Sequence, residues 1–252
     1  MKIKFGWKTN IGNYRTSNQD YCNFGKNSFN NYIAIVCDGM GGHFGGDIAS
    51  RMAVNSFMEM FYKENFNLKT EHEINKWIHN AIHMIQNQMI SYTKINNSAN
   101  DMGTTLVCAL IVNDKMFVAN VGDSRLYKLH NDKVYQITVD QNIYNTSTPE
   151  EREEYEFQGQ YKKIYNSDTF WKVLTSALGP NKNLKIDIFL IEDLKGTYLL
   201  STDGIHDFID ESDIKDTLRK KTRLNDKAKE LIDLALENLS TDNLTGIILE
   251  VN

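Results

Sequence analysis

Five aspartates stand beside apolar runs. Asp38 follows YIAIVC, Asp123 follows FVANVG, Asp203 follows YLLST, Asp242 precedes NLTGIILEV, and Asp20 closes the polar run RTSNQ before a short strand signal. One Asp-Gly after a strand is ordinarily a turn. Several strands ending in Asp would instead gather like charges on one rim. Clustered carboxylates repel and raise one another's pKa unless a cation neutralises them. Hard divalent ions with oxygen ligands, Mn²⁺ or Mg²⁺, suit such a set. Arg15 lies five residues before Asp20. Its planar fork matches two phosphate oxygens, a surface ion pair being the plainer alternative.

Two other patterns compete. The segment DGMGGHFGG holds five of the chain's 15 glycines between a strand and a helix, a placement that suggests phosphate binding. The spacing fails: Gly39-x-Gly41 requires glycine at 44, which is Phe44, and no Gly-Lys-Ser/Thr follows. Gly39 is better used to bring a backbone carbonyl close to a cation. His79 and His83 are spaced i, i+4, but HNAIH lacks the Glu of a zinc helix. His83 is expected near the apolar stripe of its helix, with His79 solvated.

The elements that must position these groups follow from hydrophobic period. Tyr32–Cys37 reads as a buried strand, 47–63 and 71–95 as amphipathic helices. Thr104–Val112, Lys115–Val121, Arg125–Leu129 and Val134–Thr138 read as a meander of strands too closely spaced to be parallel. Thr197–Ser201 and Gly246–Val251 are further strands, and 212–220 and 225–239 are helical. Helices, then strands, then helices make an α+β fold. Residues 141–171 show no sustained period and read as a surface flap with a short helix at 148–156.

The whole chain sets bounds. Its 252 residues carry 28 basic and 33 acidic side chains, a net charge of −5, which argues against a dedicated nucleic-acid binder. A hydrophobic fraction of 41% is ordinary for a folded protein. The three cysteines form no C-x-x-C pair, and Cys37 and Cys108 sit in apolar runs, as expected of core residues in a reducing cytosol. MKIKFGWKTN has positive charges without a following apolar run, so no signal peptide is expected, and TTLVCALIV is half the ~20 residues a membrane helix needs. Neither proline opens a linker, so residues 1–252 are expected to form a single domain.

Taken in order, the motifs resemble a family. N-I-G-x-x-R-x-x-N-Q-D (Asn10 to Asp20), V-C-D-G-M-G-G-H (Val36 to His43), M-G-T-T (Met102 to Thr105), V-G-D-S-R (Val121 to Arg125), L-T-S-A-L-G (Leu174 to Gly179), S-T-D-G (Ser201 to Gly204) and T-D-N-L-T (Thr241 to Thr245) are similar to the bacterial PP2C, or PPM, metal-dependent protein Ser/Thr phosphatases. The likeness runs from residue 6 to residue 251.

The resemblance implies a four-layer α/β/β/α sandwich, two antiparallel sheets flanked by helices. It implies that Asp38 bridges two metal ions with the Gly39 carbonyl on one. Asp203 and Asp242 bind the first ion, and Asp20 contacts the second mainly through water. Asp123 joins Asp203 on a third, weaker ion, and Arg15 binds phosphate. His43 is a candidate general acid, though its place in the glycine loop differs from the Asp-Gly-His of eukaryotic members. The implied cofactors are Mn²⁺ or Mg²⁺, and the implied reaction is in-line attack of an acidified water on phosphoserine or phosphothreonine. The implied partners are phosphoprotein substrates and a cognate Ser/Thr protein kinase, for a cytoplasmic monomer without membrane insertion. The alternative is a catalytically silent relative that binds phosphoproteins. Asp140-Gln141-Asn142 departs from the family's Asp-His-Ser, and the polar, aromatic flap departs in composition.

Overall fold

The computed structural model describes residues 1–40, 45–157 and 168–252. These contain two five-stranded antiparallel sheets. The first runs in the order β1 (Ile3–Asn10), β12 (Leu244–Val251), β11 (Gly196–Ser201), β8 (Arg125–His130), β9 (Lys133–Gln136). The second runs β10 (Asp187–Ile191), β7 (Lys115–Val121), β6 (Leu106–Val112), β3 (Tyr32–Cys37), β2 (Tyr21–Lys26). A short pair, β4 (Gly39–Met40) with β5 (Gly103–Thr104), stands apart from both.

Side-chain alternation explains the layering. On β3, Ala34 and Val36 face the other sheet, while Ile33, Ile35 and Cys37 face helices α1 (Gly46–Lys63) and α2 (Glu71–Ile95). β6 divides the same way, Val107, Ala109 and Ile111 inward and Leu106, Cys108, Leu110 and Val112 toward the helices. Strands buried on both faces read as unbroken apolar runs, which is why the binary alternation was invisible in YIAIVC and LVCALIV. On the first sheet Leu200, Ile247 and Leu249 face inward, and Leu199 and Ile248 meet helices Glu211–Arg219 and Leu224–Glu237. The expected helix–sheet–sheet–helix sandwich is present. Each fully buried Phe, Leu or Ile contributes ~1.5–3 kcal/mol. Exposed pairs such as Lys63–Glu59 are screened by solvent and add little, so apolar burial holds the layers together.

Local signals set the element ends. Thr70 and Glu73 form a reciprocal capping box at the start of α2. Asn113-Asp114 and Asn131-Asp132 have positive φ at both residues (48 and 60°, 48 and 62°), the backbone that two-residue hairpins require.

Three expectations change. The meander is not continuous: β7 pairs with β6 and β8 with β9, but β7 and β8 lie in different sheets. Residues 122–124 are therefore a crossing between layers, not a hairpin. The run from Thr104 divides at Thr105 into β5 and β6. The histidine pair is reversed, His79 half-buried and His83 exposed, because the stripe Ile74, Ile78, Ile82, Ile85, Met89 points away from 83. Of the flap, short helices Ile143–Thr146, Pro149–Phe157 and Asp168–Trp171 are described, and residues 158–167 lie outside the described residues.

Candidate active site

Strand register brings the aspartates together. In the second sheet Tyr21 pairs with Cys37, Val36 with Val107, and Leu106 with Val121, so Asp20, Asp38 and Asp123 leave it at one end. In the first, Ser201 pairs with both Gly246 and Arg125, and Asn10 with Leu244, so Asp203 and Asp242 leave at one end too. The two ends adjoin. A cleft of about 530 Å³ there is lined by Arg15, Asp38, Gly39, Asp123, Asp203 and Asp242, among others. Asp20 is not part of the lining; it is only 4% exposed. His43 lies outside the described residues.

A second tier of polar groups fixes these carboxylates. Thr105 Oγ1 accepts from Asp38 N at 2.9 Å, and Thr105 N and Thr104 Oγ1 both donate to Asp38 O, at 2.9 and 2.8 Å. Thr202 Oγ1 donates to Asp20 Oδ2 at 2.9 Å while accepting from Thr245 N at 3.0 Å. Asn243 staples the Arg15 loop: its Oδ1 accepts from Gln19 N at 2.8 Å, and its Nδ2 donates to Ile11 O and Ser17 O at 2.8 and 3.0 Å. Gly204 is required here, since a Cβ would lie 1.9 Å from Asn243 O. Gly39 is demanded by packing as well: its Cβ would fall 2.1 Å from Gly46 O and 2.6 Å from Gln19 O. Thr105, Thr202 and Asn243 carry positioning that charge-based reading passed over. Their only signal in the sequence was membership of M-G-T-T, S-T-D-G and T-D-N-L-T.

The electrostatics are those of crowded anions. Desolvation, then the fields of Asp20 and Asp203, push Asp38 well above the usual carboxylate range. Asp123 is likewise raised well above it by burial and by Asp203. Burial lifts Asp20 to about 7 against the hydrogen bonds of Thr245 and Thr202, and lifts Asp203 to about 6 with Asp242 adding to the effect. Arg15 loses hydration, which alone would lower its pKa. The hydrogen bond to Asp242 and the fields of Asp242, Asp38 and Asp203 outweigh this and raise it. Arg15 Nη2 donates to Asp242 Oδ2 at 2.5 Å.

Does this set fit divalent cations? Asp20 Oδ1 and Asp203 Oδ1 are buried without a hydrogen-bond partner, a costly state for a carboxylate unless a cation meets it. The donors are all oxygen, as hard divalent ions prefer. The residues therefore fit. As the side chains stand, however, no three acidic, His or Cys groups among the described residues close around one point. Arg15 holds Asp242. The expected grouping of Asp38, Asp203 and Asp242 is thus one of neighbours along a cleft, and gathering them on an ion requires rotation of side chains.

Comparison with known proteins gives a consistent picture. The family model described as Protein phosphatase 2C matches residues 13–241. The chain is 34% identical over 249 residues to the serine/threonine phosphatase stp of Listeria welshimeri, covering 98% of this chain and 95% of that protein. It is 29% identical over 251 residues to protein phosphatase PhpP of Streptococcus pneumoniae, covering 97% and 96%. Among solved structures, the serine/threonine phosphatase Stp1 of Staphylococcus aureus superposes with a TM-score of 0.84 at 30% identity, over 100% of this chain and 96% of that one. The S. agalactiae serine/threonine phosphatase gives 0.85 at 26% identity, over 100% of each.

Proposed function

The chain belongs to the protein phosphatase 2C family, and from that premise we propose that it is a serine/threonine protein phosphatase whose reaction takes place in the acidic cleft. The observation that carries this reading is the meeting of Asp38, Asp123, Asp203, Asp242 and Arg15 at the common edge of both sheets. Phosphoproteins are its substrates. We extend the reading to Mn²⁺ or Mg²⁺ as cofactor, a monomer, a cytoplasmic setting and an opposing Ser/Thr kinase. No helix among the described residues is long and apolar enough to cross a membrane.

Asp38, Asp203, Asp242 and the Gly39 carbonyl would hold a pair of divalent ions, Asp20 would contact the second of them mainly through water, and Asp123 with Asp203 would hold a third. When bound, such ions supply Lewis acidity toward phosphate and lower the pKa of nearby water. The rest falls to the chain itself. Arg15, whose Nη2 donates to Asp242 Oδ2 at 2.5 Å, presents its fork to two phosphate oxygens. Thr105 and Thr104 fix the Asp38 backbone, so that the carboxylate does not drift as charge builds. His43 is the candidate for protonating the leaving group. Phosphate release from a phosphothreonine peptide, measured with Mn²⁺ or Mg²⁺ and with EDTA, tests the proposal. Release with cation and none with chelator is expected; release unaffected by chelator would sink it.

A further inference from the structure

A second cleft, of about 600 Å³, lies beside the acidic one, and Lys172 lines both. Its polar floor is spent on itself. Arg125 Nε meets Asp140 Oδ1 and Oδ2 at 2.9 and 3.1 Å, its Nη2 meets Oδ2 at 2.6 Å, and its Nη1 donates to Tyr127 Oη at 2.9 Å. Asn145 Nδ2 donates to Asp140 O at 3.0 Å, and Asn142 Oδ1 accepts from Asn145 N at 3.0 Å. Charges already paired and hydrogen bonds already made leave such a floor little to offer a charged guest.

Val139, Tyr144 and Trp171 supply the apolar part of the second cleft's lining. Val139 is 53% exposed and Tyr144 50% exposed. Tyr144 is held edge-on to Trp171, ring centroids 5.9 Å apart at 90°, and the Arg152 guanidinium lies 4.4 Å from its ring centroid. Rigid aromatic surface of this kind binds with little loss of conformational freedom. Lys172, with Nζ 2.8 Å from Asp207 Oδ2, forms the wall between the clefts. Because Lys172 lines both clefts, an extended segment, advancing ~3.3 Å per residue, can run from the first into the second.

We propose that the second cleft receives an apolar or aromatic side chain of the phosphoprotein, from a residue flanking the phosphorylated serine or threonine. This makes Val139, Tyr144 and Trp171 determinants of substrate sequence. The inference rests on the phosphatase reading of the acidic cleft.

The test uses phosphothreonine peptides carrying Leu, Phe, Gly or Asp within three positions on either side of the phosphoresidue, with p-nitrophenyl phosphate as a substrate lacking flanks. Wild type should favour Leu or Phe at one position by about tenfold in kcat/KM, the scale of a filled apolar pocket. Val139→Asp should erase that preference through KM, leaving p-nitrophenyl phosphate turnover and the thermal midpoint unchanged. Tyr144→Ala should act the same way. Equal use of all peptides by wild type, or a variant that slows every substrate alike, overturns the inference while the phosphatase reading stands. A folded protein that turns over nothing, p-nitrophenyl phosphate included, overturns both.

Discussion

At the scale of single residues, the same contact can matter little for stability and much for activity. The Arg15–Asp242 pair joins side chains 52% and 28% exposed, where an ion pair contributes at most ~1 kcal/mol to folding. Arg15→Ala should therefore leave the thermal midpoint almost unmoved. It should lower kcat/KM for a phosphopeptide by about 10²-fold, the usual loss when one transition-state donor is removed. Unchanged kinetics would show that Arg15 is a surface charge. Asp38→Asn should abolish turnover, since it removes the carboxylate at the centre of the cluster; phosphate release at the wild-type rate would overturn the metal assignment. Thr202→Val probes the second tier. It deletes the donor to Asp20 Oδ2 on a residue whose Oδ1 is already unpartnered, a loss of ~1.5–3 kcal/mol for a hydrogen bond to a charged group. Weaker Mn²⁺ binding by titration calorimetry is the expected outcome, and an unchanged affinity would reduce Thr202 to packing.

At the scale of elements, the crossing between the sheets is the critical construction. Gly122 links β7 to β8 with φ of +93°, and a Cβ there would lie 2.7 Å from Thr105 Cγ2. Gln141 clamps it, accepting from Gly122 N at 2.9 Å through Oε1 and donating its own backbone N to Gly122 O at 3.0 Å. Gly122→Ala combines left-handed strain of ~1–3 kcal/mol with a collision against the residue that anchors Asp38. It should lower both stability and activity, measured by denaturant midpoint and phosphate release. Loss of stability with full activity would mean that the crossing does not set the position of Asp38 or Asp123.

At the scale of the molecule, the carboxylate cluster opposes the fold that holds it. The raised values of Asp38, Asp123, Asp20 (about 7) and Asp203 (about 6) lie above the unfolded carboxylate range, so the folded state binds more protons than the unfolded one between roughly pH 4 and 7. Stability of the chelator-treated protein should fall as pH rises through that window. His206 acts in the opposite sense. Burial holds it neutral, well below its usual value, so the unfolded state takes up a proton first below about pH 6.5. Four carboxylates outweigh one imidazole. Melting at pH 5.5 and 7.5 with EDTA should show the higher midpoint at pH 5.5. Excess Mn²⁺ should raise the midpoint most at pH 7.5, by binding the folded state alone. A cation effect equal at both pH values would separate the cluster from cation binding.

The sequence by itself determined the types of most elements, though not strands β1 and β10, the acidic strand ends and, through motif order, the family. Apolar runs such as YIAIVC and LVCALIV mark buried strands wherever they pair, and Asn113-Asp114 specifies its hairpin locally. Only tertiary structure decided that β7 and β8 part company. The three residues Gly122 to Ser124 could turn a hairpin as readily as cross a sandwich, and the choice rests on clamps from Gln141 and Thr105, which lie in other elements. The same holds for the site. A carboxylate's address can be read from the strand it follows. Its pairing with Arg15, its depth, as for Asp20, and its hydrogen-bonded support from Thr202 and Asn243 are products of long-range register, because they join residues more than 180 positions apart.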